Sequence, residues 1–454
     1  MKKQKYLSFM LTVLFVISVV LTGCKGDGPG SEPASGDTDE KDSGKTVVNF
    51  WTPQWGDADQ EWWEKNIKAY NESQDEVVVK LEIVPGDAWD QKVVAAQAAG
   101  TSPDIMTMNY NKIIFSAEQG KILPLDEYVD PAIFEDLYDN VRDFVSLDGK
   151  HYAYPMLGEP SSVLFYRKDM FEEAGLDPEQ PPTTWDELLE YGKKLTNGNV
   201  FGLAAAGNAV EYGWTHWGLQ GMVGAKPVSD DWSEATIVSE EYKELITFWN
   251  SLYQEGVLPK QALGPYNDIK PLGEGQVAMQ IGGSWSIGQL RTDYPDLLDK
   301  IGVAVMPTND GNQEKTTASL GGWTLTIDGN SKHPQEAADF ISWLLAGDEE
   351  IMVDFFKNVT KFSKFPARKS VDEVLSADPE GQNDPWRKLI AEKIVPYTVA
   401  EPIYAWEFSM SYATALERVM LQGEDIEKSL QTAEKEINDY IKNNNYAGTN
   451  PKAK

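Results

Sequence analysis

Four tryptophans stand where a flat ring can reach a bound molecule. Trp285 follows two glycines after a strand-like run and has little helical stripe to join. Trp323 also follows two glycines, whose missing side chains allow close approach of the backbone to a ligand. Trp214 and Trp217 lie in a glycine-rich stretch and are either ligand contacts or helix packing. An indole can stack on an apolar face while neighbouring Asp, Glu or Asn side chains bind a rim of hydroxyl groups.

Catalytic chemistry finds little support in the sequence. No two of the three histidines, His151, His216 and His333, share a helical face with a carboxylate partner at metal-ligand spacing, so we expect neither a metal site nor a cofactor. No phosphate-binding P-loop occurs in the sequence. The segment Gly273–Ala278 fits the G-x-G-x-x-A pattern of dinucleotide-binding sites, but a β-rich segment follows it where such a site needs a helix. The 72 acidic residues make carboxylate pairs common by chance, so spacing identifies no glycosidase pair.

The single cysteine, Cys24, stands at the end of a short apolar run that follows three lysines. The segment Leu21–Cys24 resembles the bacterial lipobox, in which the cysteine receives a diacylglyceryl group and becomes the mature N-terminus. We therefore read residues 1–24 as a lipoprotein signal peptide and exclude them from the fold. Residues 25–45 carry no large apolar side chain, which predicts a solvated, disordered tether.

Composition sets the outer limits of the interpretation. A chain of 454 residues with 41% hydrophobic residues can form two substantial cores, and we expect two domains. The formal net charge of -32 disfavours nucleic acid, which needs a basic footprint. The mature chain retains no cysteine for a disulfide, so its stability must come from core packing.

Short β-rich runs alternate with helical periods, which favours a layered α/β fold. Strands are predicted at 47–51, 77–84 and 104–108, with helices between them, which implies right-handed parallel crossovers. Trp63 falls on a helical stripe and is assigned to the core. Thr184 opens a capping box, Gly256 closes a later helix, and further strands are predicted at 162–166, 277–281, 301–306 and 323–327.

Several segments in a fixed order carry a family resemblance. They are Ala98–Ile105, Gln119–Leu125, Phe165–Phe171, Pro182–Leu188, Gly275–Met279, Gly321–Trp323 and Ser331–Phe340. Together they resemble the extracellular solute-binding proteins of ABC importers, in the family that includes maltose-binding protein.

The resemblance implies a two-lobed, periplasmic-binding-protein-like α/β fold with a hinge and a ligand cleft between the lobes. Lobe one would comprise residues 46–155 and about 318–365, and lobe two residues 156–317 and about 366–454. Closure of the cleft on a solute would be recognised by the membrane permease subunits of the transporter. We expect a monomer on the extracytoplasmic face of the cell membrane, held there by its lipid anchor.

The resemblance also adds candidate ligand contacts to those given by residue type. Trp55 and Asp57 resemble a solute-contacting position after the first strand, although Asp57 could equally be a helix N-cap. Asn109 and Tyr110 occupy a position that often presents a contact, and Glu159 resembles an acid that binds sugar hydroxyls, with a surface acid as the alternative. The family carries another stacking aromatic where Tyr404 and Trp406 lie, and Arg368 is interpreted as structural.

Two functions remain open from the sequence. The first is a non-catalytic protein that delivers an oligosaccharide, or in a variant a non-sugar solute, to an ABC permease. The second is an exported polysaccharide-degrading enzyme, which an aromatic cleft and abundant carboxylates would also serve.

Overall fold

A computed structural model describes residues 44–55 and 57–453, with the side chains of Asp57 and Asp87 left out. The predicted signal peptide, the lipidated Cys24 and most of the tether lie outside the described residues. From Lys45 onward the chain forms one contact unit. None of its described helices has the length and apolar character that crossing a bilayer requires.

Thirteen strands occur in the described residues. They are β1 (Thr46–Pro53), β2 (Val77–Val84), β3 (Ile105–Asn109), β4 (Ser146–Leu147), β5 (Lys150–His151), β6 (Tyr154–Pro160), β7 (Val163–Arg167), β8 (Phe201–Ala204), β9 (Val277–Gly282), β10 (Ile301–Ala304), β11 (Ser319–Ile327), β12 (Phe365–Pro366) and β13 (Val399–Ala400).

Eighteen α-helices lie between and after these strands in the same part of the chain. They are α1 (Asp57–Ser73), α2 (Trp89–Ala99), α3 (Tyr110–Glu118), α4 (Asp139–Phe144), α5 (Lys168–Glu173), α6 (Trp185–Leu195), α7 (Ala209–Thr215), α8 (Trp217–Val223), α9 (Glu240–Gln254), α10 (Lys270–Gly273), α11 (Ser286–Asp293), α12 (Pro334–Ile341), α13 (Glu349–Asp354), α14 (Lys369–Ala377), α15 (Pro379–Asn383), α16 (Pro385–Lys393), α17 (Trp406–Gln422) and α18 (Ile426–Asn443).

The first sheet has seven strands in the order β12-β6-β11-β3-β1-β2, with β13 added to β11. β1 runs parallel to both β2 and β3, as the strand–helix–strand pattern predicts. β11 comes from late in the chain and inserts antiparallel between β3 and β6. The sheet therefore joins strands from three distant parts of the sequence.

The second sheet has the order β10-β7-β9-β8. β6 of the first sheet leads into β7 of the second through only Ser161 and Ser162. Residues 305–318 return the chain from β10 to β11, and a third passage runs from β12 through α14–α16 to β13 and α17. These three passages connect the sheets in the manner of a hinge between two lobes.

Each sheet has its own hydrophobic core. The first core holds buried residues between Val48 and Leu157 and again between Leu325 and Leu375. A second core and a smaller third one surround the other sheet, with members from Val163 to Ile394 and from Phe408 to Tyr446. Helix α14 packs on the first core, beyond the boundary near residue 365 that the sequence suggested. The fold is thus a two-lobed α/β architecture.

Local signals in the sequence produce the elements that they predict. Thr184 accepts from the backbone N–H of Glu187 at 3.1 Å, and Glu187 accepts from the backbone N–H of Thr184, so the capping box forms. Gly256 adopts a φ of 73°, which allows α9 to end there. Trp63 is 1% exposed and lies in the first core.

Candidate functional site

The carboxyl ends of β1 and β3 lie side by side because these strands are parallel neighbours. Trp55 follows β1, while Asn109 ends β3 and precedes α3. Asn109 pairs in register with Trp323 of β11. Ligands of open α/β sheets bind at such strand ends, so this edge of the first sheet is the place to look for a site.

Two tryptophans form an aromatic surface at this edge, which we call the lobe-one platform. The rings of Trp55 and Trp323 lie 5.1 Å apart between centroids, tilted by 57°. Both side chains are half-buried, and the ring of the buried Trp63 lies 6.2 Å from that of Trp55. The Nζ of Lys364 lies 5.4 Å from the Trp55 ring centroid. The platform therefore rests on the core but keeps part of its surface accessible.

Charged groups adjoin this platform. Glu159 lies opposite Gly321 in the first sheet, and its Oε2 is 3.2 Å from the Nζ of Lys364. The side chains of Glu159 and Lys364 are only 12% and 14% exposed. Burial raises the pKa of nearby Asp59, Lys364 lowers it, and Glu159 adds a smaller increase. One ammonium group thus faces two partly desolvated carboxyls.

Three aromatic side chains of lobe two, which we call the aromatic trio, lie next to the β6–β7 crossing. The ring of Trp214 is 5.1 Å from Tyr266 and 6.1 Å from Trp285. The hydroxyl of Tyr266 donates to the carbonyl of Ser161 at 2.7 Å. The residue before Trp285 donates its backbone N–H to the carbonyl of Pro160 at 3.0 Å. The trio is therefore fastened to the same crossing that carries Glu159.

Trp406 extends the aromatic surface of lobe two. It begins α17, is 40% exposed, and packs so closely on Gly213 that a Cβ there would lie 2.8 Å from its ring. Trp217 lies edge-on to it at 6.3 Å, but is buried and donates its indole N–H to Ser409. The position of Trp217 therefore fits helix packing rather than ligand contact. Tyr404 packs beside Phe408, and burial strongly raises its pKa.

The remaining candidates occupy varied positions. Tyr110 is 2% exposed, and its hydroxyl donates to the carbonyl of Leu157 at 2.9 Å, because α3 turns this side chain beneath β11. Asp57 is the first residue of α1, and its side chain is outside the description. Arg368 is 6% exposed and donates to Asp136 at 2.7 Å and to two backbone carbonyls of the first lobe.

Several polar atoms around the crossing are buried yet make no hydrogen bond within the described part of the chain. They are Trp55 Nε1, Asn111 Oδ1, Ser284 Oγ, Trp285 Nε1, Ser286 Oγ and Glu401 Oε2. Buried polar atoms without partners are uncommon because each costs about 1–3 kcal/mol. Trp55 Nε1 belongs to the lobe-one platform and Trp285 Nε1 to the aromatic trio, so each aromatic surface carries a buried donor that a polar molecule with apolar faces could use.

The sequence did not single out four side chains that shape this site: Asp59, Tyr266, Lys364 and Glu401. Lys364 reaches Glu159 only because β12 pairs with β6, and Tyr266 lies on an irregular loop. No local pattern marks these positions. Among residues 44–55 and 57–453, no group of three or more His, Cys, Asp or Glu side chains is arranged to hold a metal ion.

Two lobes joined by crossing strands, with half-buried aromatics and unpaired polar atoms at the crossing, define a two-lobed binding protein. The model of the bacterial extracellular solute-binding protein family matches residues 55–349. The chain therefore belongs to that family. Its members are binding proteins of ABC transporters rather than catalysts, so the protein is extracytoplasmic and its partner is a transporter permease.

Individual relatives agree with this assignment. The mannitol-binding protein of Pseudomonas aeruginosa is 26% identical over 288 residues, covering 61% of this chain and 64% of the relative. A solute-binding protein of Thermotoga lettingae, solved with α-D-tagatose, superposes with a TM-score of 0.74 at 25% identity, covering 87% of this chain and 100% of the other. The cyclic α-maltosyl-1,6-maltose-binding protein of Arthrobacter globiformis gives 0.68 at 26%, covering 88% and 100%.

Proposed function

We propose that this protein is a lipid-anchored, monomeric carbohydrate-binding protein that captures an oligosaccharide and presents it to an ABC permease. The observation that carries the proposal is the pair of aromatic surfaces, the lobe-one platform and the aromatic trio, each of which includes a buried indole N–H without a partner in the described residues. A sugar ring offers apolar C–H faces for the indoles and hydroxyls for the polar atoms. The ligands of the relatives described above, mannitol, α-D-tagatose and cyclic α-maltosyl-1,6-maltose, have this same chemistry.

The contacts that we propose come from both lobes and the crossing. They are Trp55, Asn109, Glu159, Trp214, Trp285, Trp323 and Trp406, with Asp57 retained as a prediction. Tyr110 and Tyr404 instead shape the walls, since Tyr110 already donates its hydroxyl to a backbone carbonyl and Tyr404 packs into the lobe-two core.

We assign lobe one to residues 46–160 and 319–375, and lobe two to residues 161–318 and 376–453, because β6 belongs to the first sheet and Leu157 to the first core. The extension to 375 follows the packing of Val371 and Leu375 in the first core. A solute that touches both lobes favours the closed arrangement, and the closed arrangement is what a permease can distinguish from the free protein.

A binding screen tests the sugar assignment. Isothermal titration calorimetry with D-mannitol, α-D-tagatose, cyclic α-maltosyl-1,6-maltose, maltotriose and mannobiose should show saturable binding for at least one. Trp285→Ala should abolish or strongly weaken it, whereas the matched variant Trp386→Ala should not, because Trp386 is half-buried in another cluster. Binding only to amino acids, polyamines or metal chelates would retain the transport role and exclude the sugar. Release of new reducing ends from a glycan would favour the enzyme.

The lipid anchor has a separate test. Metabolic labelling with a fatty acid should acylate the exported protein, globomycin should block its maturation, and Cys24→Ala should remove the label. Two acyl chains hold a protein stably where one does not. An unlabelled, freely released wild-type protein would contradict the anchor without affecting the sugar assignment.

A further inference from the structure

Glu401 lies where the three passages between the lobes converge. It directly follows β13, whose Ala400 is paired with Leu320 at the start of β11. Its carboxylate lies over the next residue of β11, since a Cβ on Gly321 would be 2.5 Å from Glu401 Oε1. Gly321 is in turn the register partner of Glu159. The absence of a side chain at Gly321 therefore makes room for the Glu401 carboxylate beside Glu159.

The surroundings of this carboxylate leave one oxygen unused. The backbone N–H of Asn111, in the first turn of α3, is directed at it. Oε2 is nevertheless buried without a hydrogen bond in the described residues, and so is the amide oxygen of Asn111. A purely structural carboxylate at this depth would normally have both oxygens paired, because an unpaired buried one is costly. Both residues adjoin the edge of the first sheet, since Asn111 lies in the first turn after β3 and the Glu401 carboxylate lies over Gly321 of β11.

The electrostatic environment keeps the Glu401 carboxyl neutral near pH 7. Its pKa is raised to about 8, because burial, the largest cause, and Glu159 on β6 together outweigh the opposing effects of the Asn111 N–H and of Lys112 on α3. Lys112 is engaged in an ion pair with Asp90, and the neighbouring Tyr110 stays a neutral phenol because burial raises its pKa. A neutral carboxyl has an O–H to donate, which a carboxylate lacks.

We propose that Glu401 is a specificity-determining residue that donates a hydrogen bond from its neutral carboxyl to an oxygen of an uncharged sugar. The inference rests on the proposed function and identifies the class of sugar. A uronic acid would place its carboxylate near Glu159 and Glu401, while the ammonium groups of Lys364 and Lys112 already pair with Glu159 and Asp90. Ionised Glu401 would lose its donor, so the site should bind less well in alkaline solution.

Calorimetry at pH 7 and pH 9 tests the inference with whichever sugar of the panel above binds the wild type most tightly. Because only the protonated carboxyl donates, the affinity of the wild type should fall about tenfold between these values. Glu401→Gln keeps a donor that does not titrate, so its affinity should stay constant over the same range. Glu401→Ala should bind at least about tenfold more weakly at pH 7. Glu234→Gln, on an exposed turn, should behave like the wild type.

The possible outcomes distinguish a failure of this inference from a failure of the proposed function. If no panel sugar binds the wild type at either pH, the proposed function fails and the inference falls with it. If a sugar binds but Glu401→Ala retains wild-type affinity, or Glu401→Gln keeps the full pH dependence, only the inference fails. Preferential binding of digalacturonate over the neutral sugars would also overturn it.

Discussion

Replacing Glu401 by glutamine should remove an alkaline loss of stability from the unliganded protein. Burial raises the pKa of this carboxyl from 4.5 to about 8 in the folded state. Between those values the folded protein holds a proton that the unfolded chain has released. The free energy of unfolding therefore falls as pH rises from 4.5 towards 8 and becomes level above it, because both states are then ionised.

The expected magnitude follows from the two pKa values. The interval from 4.5 to about 8 spans about 3.5 pH units, and each corresponds to about 1.4 kcal/mol. The whole contribution is therefore about 5 kcal/mol, of which about 2.5 kcal/mol falls between pH 6 and pH 9. Glutamine fills the same space and does not titrate. The unfolding free energy of Glu401→Gln minus that of the wild type should thus increase by about 2.5 kcal/mol over that range.

Urea unfolding followed by tryptophan fluorescence at pH 6, 7, 8 and 9 measures this difference. Taking the difference between variants cancels the titration of all other groups that the substitution leaves undisturbed. The exposed Glu234→Gln supplies the control and should show no trend. A difference for Glu401→Gln that stays constant from pH 6 to pH 9 would mean that Glu401 is ionised throughout, which would refute the reasoning about its environment.

Three other substitutions separate binding from stability. Trp285→Ala should weaken sugar affinity by about 1–3 kcal/mol in calorimetry, as loss of a stacking ring does, and unchanged affinity would remove Trp285 from the site. Arg368→Ala should lower the unfolding free energy by about 1–3 kcal/mol, since it removes the buried guanidinium that binds Asp136 and two backbone carbonyls, yet the affinity of the folded fraction should persist. Thr184→Ala should cost about 1 kcal/mol through loss of the capping box, and Thr184→Ser should restore most of it.

Elements with a complete local signal could be predicted from the sequence. The strand at 77–84 has the bounds that its β-branched run indicates, and the capping box at Thr184 forms as its spacing predicts. Trp63 lies in the core because its helical stripe leaves it no other face. In each case the structure is determined by a few residues that are close together in the sequence.

The site depends on contacts between residues that are far apart in the sequence. Glu401 meets Gly321 only through the pairing of β13 with β11, and Lys364 meets Glu159 only through that of β12 with β6. Tyr110 follows a strand, as a contact residue would, but the first turn of α3 directs its ring under β11. Tertiary register decides such positions, and register does not follow from local propensity.

A crystal structure with a bound panel sugar tests the central claim most directly. We expect a sugar ring between the lobe-one platform and the aromatic trio, within hydrogen-bond distance of Glu159 and Glu401. A sugar bound instead in the separate cavity of lobe two, lined by residues such as Tyr253 and Met420, would contradict it.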